Sequence, residues 1–442
     1  LLPLLLQSEA ASAAEQHYRA SGDTLALNNA VDRWDNILQA PALLDVPSDV
    51  QARLLNNMAI ALRLRFQVNE SRQDLERALT LLRQAAALTP AASPVAVGIR
   101  VNMANVLTDL AYMDGDPDTL EAAITIYQNV LENDRQTPQE RAKSQLNLAR
   151  ALLYRFERGS KMADVNGAVA LWKSALATAA DSDKLLIMLS LSGALGTRYR
   201  ATNQPADLDW ALELAEALVQ NASVALADYP DYQLNLGNRL RERYARDDRV
   251  EDLHRAIAVY SDARQQTAEG SVRQRAAVLN CLGQAYLERY WRLDEIGDLV
   301  SASIYCAAAV ELTPASAPAR ATHLRALAAV LKARYDKFGS SSSDDLGQAI
   351  ATLEEALRLL PVDSYRRGAN LPRLGSCYEA RFRATGQLHD LDQAIQTYES
   401  ALASMPTSSR DRAQALYSLA NALFTRFRIG GQEADAQAAR RL

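Results

Sequence analysis

The chain lacks a polybasic block, a cysteine framework and any long apolar run, and each absence removes a class of function. Its 48 Lys and Arg are outnumbered by 53 Asp and Glu, for a net charge of -5. A nucleic-acid sleeve needs a basic excess along one face, so nucleic acid is not an expected partner. The three cysteines, Cys281, Cys306 and Cys377, form no CxxC pair. That argues against a disulfide frame or a zinc site and for a reducing, cytoplasmic setting. No stretch approaches the roughly 18 apolar residues of a spanning helix. Leu1-Leu2-Pro3-Leu4-Leu5-Leu6 is too short, and lacks the basic flank, for a signal peptide, so no membrane is expected. The histidines, His17, His254, His323 and His389, are scattered without metal-ligand spacing and read as solvated helix residues. Trp34, Trp172, Trp210 and Trp291 fall on or beside apolar positions and read as packing residues. Gly159-Ser160-Lys161 has neither the upstream glycine nor the strand of a phosphate loop. HExxH and GxSxG are absent too. No catalytic residue, cofactor or metal is expected, and the chain does not read as an enzyme.

What the chain has is a repeat. Arg-Phe or Arg-Tyr recurs eight times, ending at Phe66, Phe156, Tyr199, Tyr244, Tyr290, Tyr335, Phe382 and Phe427. Seven residues before the aromatic sits a small residue, as in Ala59, Ala149, Gly237, Gly283, Ala328 and Gly375, with an apolar residue before it in nine of ten repeats. These positions share one face of a helix, helix A, and the small residue admits a close neighbour. A second frame follows, seen as Leu391, Ala394, Ile395, Tyr398, Ala401 and Leu402, whose period makes it helix B. Its leading residues recur at a spacing of 43 to 48, from Leu27 to Ala436, and no segment alternates with period two. Pro117 and Pro205 open B helices, and Pro90, Pro314, Pro361 and Pro406 follow their ends. Ser340-Ser341-Ser342-Ser343 lengthens one A–B loop. The expected fold is all-α: a right-handed α-solenoid of about ten antiparallel helix pairs, with residues 1–442 as one array. The chain starts without methionine and stops within a helix B, so it is expected to be a segment of a longer polypeptide.

The residue before the helix B leader is Asp in the same eight repeats that carry the Arg. The pairs are Arg65 with Asp74, Arg155 with Asp164, Arg198 with Asp207 and Arg243 with Asp252. The other four are Arg289 with Asp298, Arg334 with Asp345, Arg381 with Asp390 and Arg426 with Asp435. Repeats one and three lack both. Residues that appear and vanish together suggest contact, so each pair is expected to clamp the A–B corner with a charge-assisted bond. The alternative is a stripe of eight arginines lining a groove for an acidic ligand.

The order small residue, Ala, Tyr or Phe, Ala, Pro resembles the tetratricopeptide repeat. Leu236-Gly237, Leu282-Gly283 and Leu374-Gly375 match that family's Leu-Gly pair, and Ala394, Tyr398, Ala401 and Pro406 match its helix B signature. The repeat here is longer, against about 34 residues in the common form, with the surplus in helix A and its turn. Segments such as Asn235-Leu236-Gly237-Asn238-Arg239-Leu240-Arg241-Glu242-Arg243-Tyr244 look like the long arrays found beside CHAT domains, which are caspase-like proteases. Cys377, inside a helix A, is not a candidate nucleophile. The tetratricopeptide resemblance implies a protein or peptide ligand on the helix A face, held at positions one and four residues after the small residue. These include Asn105, Arg150, Asn238, Gln284 and Asn421, then Arg63, Arg241 and Lys332. The resemblance further implies a sensor or regulatory array of a larger effector, with a linked caspase-like domain as the partner in the same polypeptide. A stand-alone scaffold that only assembles partner proteins is the alternative.

Overall fold

The computed structural model describes every residue except 1, 22, 70, 91–92, 133–135, 160, 225, 227, 268–270, 316, 318, 340–342, 361–364, 406–410 and 442. Pro361, Pro406 and Ser340–Ser342 therefore lie outside the described residues. The ordered elements are helices in A–B pairs, and no strand occurs among the described residues. The pairs begin with α1 (Leu2–Ser21) and α2 (Thr24–Gln39), α3 (Ser48–Asn69) and α4 (Arg72–Ala87), and α5 (Pro94–Asp114) and α6 (Pro117–Leu131). They continue with α7 (Pro138–Gly159) and α8 (Met162–Thr178), α9 (Asp181–Thr202) and α10 (Pro205–Asn221), and α11 (Tyr229–Asp247) and α12 (Val250–Gln266). The last four are α13 (Val272–Leu293) and α14 (Ile296–Glu311), α15 (Arg320–Phe338) and α16 (Ser343–Arg358), α17 (Tyr365–Thr385) and α18 (Leu388–Ser404), and α19 (Asp411–Gly430) and α20 (Glu433–Arg441). The residues partition into two compact bodies. One holds Leu1–Arg155, Met162–Arg198 and Asp209–Tyr232, and the other holds Phe156–Lys161, Tyr199–Leu208 and Gln233–Leu442.

The B helices bury the stripe that their period dictates, for instance Leu253, Ala256, Ile257, Tyr260 and Ala263 on α12. Their partner face on helix A is thin by necessity. A Cβ built on Gly237 would clash with the Tyr260 ring, and one on Gly375 would lie 2.6 Å from the Tyr398 ring. Glycine thus makes room for the B-helix tyrosine in these two repeats, whereas Ala104 and Ala149 sit in the repeats of Tyr127 and Trp172, with all four buried. The recurrent aromatic at the end of helix A is less buried than its regularity suggests. Phe66, Tyr199 and Tyr290 are buried, whereas Phe156, Tyr244, Tyr335, Phe382 and Phe427 are half-covered.

Two expectations for isolated residues need correction. Trp291 is 58% exposed instead of packed. His323 is buried, not solvated, with Nδ1 2.8 Å from Thr313 Oγ1. Burial pushes the His323 imidazole down to about 4. Its unfolded value is near 6.5, so between these two pH values the unfolded chain holds the extra proton. The stability it confers is complete above about pH 6.5 and drains away as pH falls towards 4. Acidification across that window should destabilise the second body by about 2 kcal/mol. His323→Gln should flatten the dependence in urea melts taken at a series of pH values, whereas an unchanged slope would contradict the assignment.

Candidate functional site

The A–B corner is built by a fixed local sequence. Helix A ends on a left-handed residue five positions after the arginine site: Gly115, Asn203, Asp248, Asp294, Gly339, Gly386 and Gly431 all have positive φ. Glycine, asparagine and aspartate tolerate this conformation best. The N–H of that residue closes the helix on the carbonyl of the aromatic position, as Asp248 does on Tyr244 at 2.8 Å and Gly386 does on Phe382 at 2.7 Å. Four residues after Asn203, Asp248, Asp294, Gly386 and Gly431, and six after Gly339, comes the aspartate, in the first turn of helix B. There its carboxylate faces the positive end of the helix dipole.

Six arginines meet that aspartate with two parallel bonds. Arg243 Nε and Nη2 donate to Asp252 at 2.7 and 2.6 Å, and Arg289 reaches Asp298 at 2.7 Å from both nitrogens. Arg65 with Asp74, Arg155 with Asp164, Arg381 with Asp390 and Arg426 with Asp435 repeat the fork at 2.6 to 3.0 Å. All six aspartates are buried. The fork raises the guanidinium of Arg65, and the Arg426 partner holds the Asp435 carboxyl below the usual range. In these six pairs the two residues are nine apart. Arg334 and Asp345 are separated by two residues more, across the serine run, and keep one 3.1 Å contact from Nε. Arg198 and Asp207 fall in different bodies.

The two repeats without the pair anchor helix B differently. Asp23 accepts from Leu25 N–H at 2.9 Å, and Asp116 accepts from the N–H groups of Asp118 and Thr119 at 3.2 Å. A side-chain N-cap thus stands where the N-caps Ser71, Arg249, Glu295 and Gln387 of clamped repeats offer none. The left-handed cap is written in the sequence as Gly, Asn or Asp five residues after the arginine site in eight of the ten repeats, with Glu70 and Ser160 at that position in the other two, yet the repeat frame alone does not point to it.

The helix A face is a polar lattice cross-linked between repeats. Asn105 and Asn238 do not point a free amide outward: Tyr127 and Tyr260 hydroxyls donate to their Oδ1 atoms at 2.6 and 2.7 Å. Arg241 bonds Glu288 of the next repeat at 2.9 and 2.5 Å, with Gln284 Oε1 at 3.5 Å. Lys332 pairs with Asp336 at 2.6 Å on its own helix. Arg63 bonds Asp109 at 2.5 Å, and Arg150 stands 3.5 Å from the same carboxylate without a hydrogen bond from Nη2 among the described residues. Asn421 is exposed. Burial pushes the Arg239 guanidinium down to about 10, beside Glu242 at 2.9 Å. At the corners, the left-handed Asp248 and Asp294 accept Arg292 and Lys337 from the following repeats at 3.0 and 2.7 Å.

Burial raises the Cys377 thiol to about 11 and the Cys306 thiol to about 12, which keeps both protonated at neutral pH. No cluster of His, Cys, Asp or Glu that could hold a metal occurs among the described residues, and none of their helices is long and apolar enough to cross a membrane.

No protein family and no curated relative matches this sequence. Solved structures do. The chain is similar to the human IFIT1 dimer with m7Gppp-AAAA at 14% identity and a TM-score of 0.55, over 92% of this chain and 80% of that one. A monomeric IFIT1 mutant with Gppp-AAAA gives 14% identity and 0.53, over 90% and 95%. A signal-transduction ATPase with a tetratricopeptide repeat sensor from Pyrococcus horikoshii gives 12% identity and 0.50, over 91% of this chain and 52% of that protein, about half its length. At such identities the likeness concerns architecture alone, and that architecture is the all-α, paired-helix repeat of the tetratricopeptide type.

Proposed function

We propose that the chain is a non-catalytic protein-interaction module that holds a partner segment along its A helices. The observation that carries this reading is the cluster of Arg63, Asp109 and Arg150, where two guanidinium groups share one carboxylate. Arg63 takes Asp109 at 2.5 Å, while Arg150 waits at 3.5 Å with its side chain 42% exposed. Arg150 Nη2 is buried against that carboxylate, so a partner's carboxylate would meet the exposed remainder of the Arg150 side chain, at no cost to Arg63. In the other body the corresponding A-helix positions are Asn238, Arg241, Gln284, Lys332 and Asn421. The direct test is selection of a displayed peptide library on the purified chain. Selected peptides should carry an acidic residue and bind the Arg150→Ala variant about tenfold more weakly. Undiminished binding to both Arg150→Ala and a combined Asn238→Ala, Arg241→Ala variant would contradict the reading. So would retention of an oligoadenylate RNA at physiological salt, the ligand class in the IFIT1 structures, which the net charge and the paired arginines disfavour.

The same proposal places the module in the cytoplasm as the sensor of a larger effector such as a CHAT-type protease. An ATPase with a tetratricopeptide sensor shows that such a pairing exists in another protein. Binding along the A helices would rotate successive pairs slightly, and small rotations add along a stack to move a linked domain. A caspase-like α/β region in the same polypeptide would support this role. Its absence from the full transcript would leave the stand-alone scaffold.

A further inference from the structure

The B-helix side of the eighth repeat carries a feature that the A-helix reading does not use. In two repeats the clamp arginine holds a second acid from the preceding helix B. Arg155 Nη1 donates to Glu121 at 2.8 Å, and Arg426 Nη1 donates to Asp392 at 2.8 Å, each across 34 residues of sequence. The same separation from Arg334 leads to Val300, which is 53% exposed. Arg334 therefore retains only its 3.1 Å contact to Asp345 among the described residues.

Arg334 lines a groove of about 330 Å³ between α14 and α16, floored by Leu327 and Leu331 of α15. Ser303 on its wall has a buried hydroxyl with no hydrogen-bond partner among the described residues, and Gln348 and Thr352 face it from α16. On α14, which supplies Ser303 and Ala307 to one wall of the groove, Ile296, Val300 and Ile304 are exposed, one turn apart, at 48%, 53% and 60%. Three large apolar side chains on the helix that walls the groove, together with an incompletely paired guanidinium lining it, form a surface of defined chemistry.

We propose that this groove docks an amphipathic segment of a partner protein whose carboxylate takes the place on Arg334 that Glu121 and Asp392 occupy on Arg155 and Arg426. Apolar residues of the segment lie along Ile296, Val300 and Ile304, and the Ser303 hydroxyl gains a partner. A basic segment is repelled by the arginine, and an anionic membrane surface is disfavoured by the acidic chain. The surface is separate from the A-helix face, so Arg150→Ala and the combined Asn238→Ala, Arg241→Ala variant leave it intact, and the two readings can fail independently.

Val300→Glu is the discriminating variant, because it supplies the missing internal acid and leaves the clamp in place. Peptides from a displayed library that bind the full chain and resist Arg150→Ala should combine one Asp or Glu with apolar residues at helical spacing. Their affinity should fall about tenfold on Val300→Glu and much less on Val300→Gln, with the melting temperature of Val300→Glu unchanged or raised. Arg334→Ala should weaken the same peptides. Binding to Val300→Glu within about twofold of wild type would overturn the proposal. Equal loss on Val300→Gln, absence of acid enrichment, or decanoate displacing every selected peptide while those peptides lack an acid would overturn it too.

Discussion

Trp172→Ala should destabilise the first body by about 3–5 kcal/mol, the cost of emptying the site of a large, fully buried side chain. The indole is 1% exposed and belongs to the cluster with Ala149, Ala168, Val169 and Ala175, small residues whose backbones cannot close the gap. Its N–H finds no acceptor among the described residues. Trp172→Phe removes that unpaired donor while keeping most of the ring volume, and should therefore cost well under half as much. The loss should be local, since a repeat mainly contacts its neighbours. Hydrogen exchange of α7 and α8 should accelerate most, ahead of α3 and α4. Equal costs for the two variants would mean that the indole N–H has a partner or that the site collapses.

Arg243→Ala should cost the second body about 3 kcal/mol, because a buried carboxylate loses its counter-charge. Asp252 is buried, and Arg243 supplies both of its forked bonds, at 2.7 and 2.6 Å. Arg243→Lys keeps the charge but not the planar fork, so a loss of about 1 kcal/mol is expected. Arg334→Ala should cost less than Arg243→Ala, since Arg334 has a single contact and a side chain 39% exposed. Urea melts of the three variants give the ranking. If all three matched wild type, the corner pairs would be surface decoration.

The repeat was legible because period, small residue and B-helix stripe all recur in register, and co-occurrence of Arg and Asp marked residues nine apart across a turn. Side-chain reach across repeats was not legible. Arg63 and Asp109 are 46 residues apart and Arg241 and Glu288 are 47 apart. Periodicity says that their helices are neighbours but not which rotamers meet. The tyrosine hydroxyls that claim Asn105 and Asn238 were missed for the same reason, as each looked like an apolar stripe residue whose polar end had no assigned place. His323 departs from its helical pattern because its burial depends on Thr313 and the loop between α14 and α15. Pro372 lies inside α17, although a proline normally marks a boundary. Neighbouring packing, including Leu371 and Leu374 in one core cluster, holds the helix through it.

The arginine and aspartate of a corner are partners within the fold, which leaves ligands to the faces they do not occupy. A double-mutant cycle on Arg243 and Asp252, read by urea unfolding of wild type, both single alanine variants and the double variant, tests it most directly. A coupling of about 1.5–3 kcal/mol that changes little between low and high salt is the expected result. Additive losses within about 0.3 kcal/mol, or a coupling abolished by salt, would contradict it and return the eight arginines to the role of an open electropositive stripe.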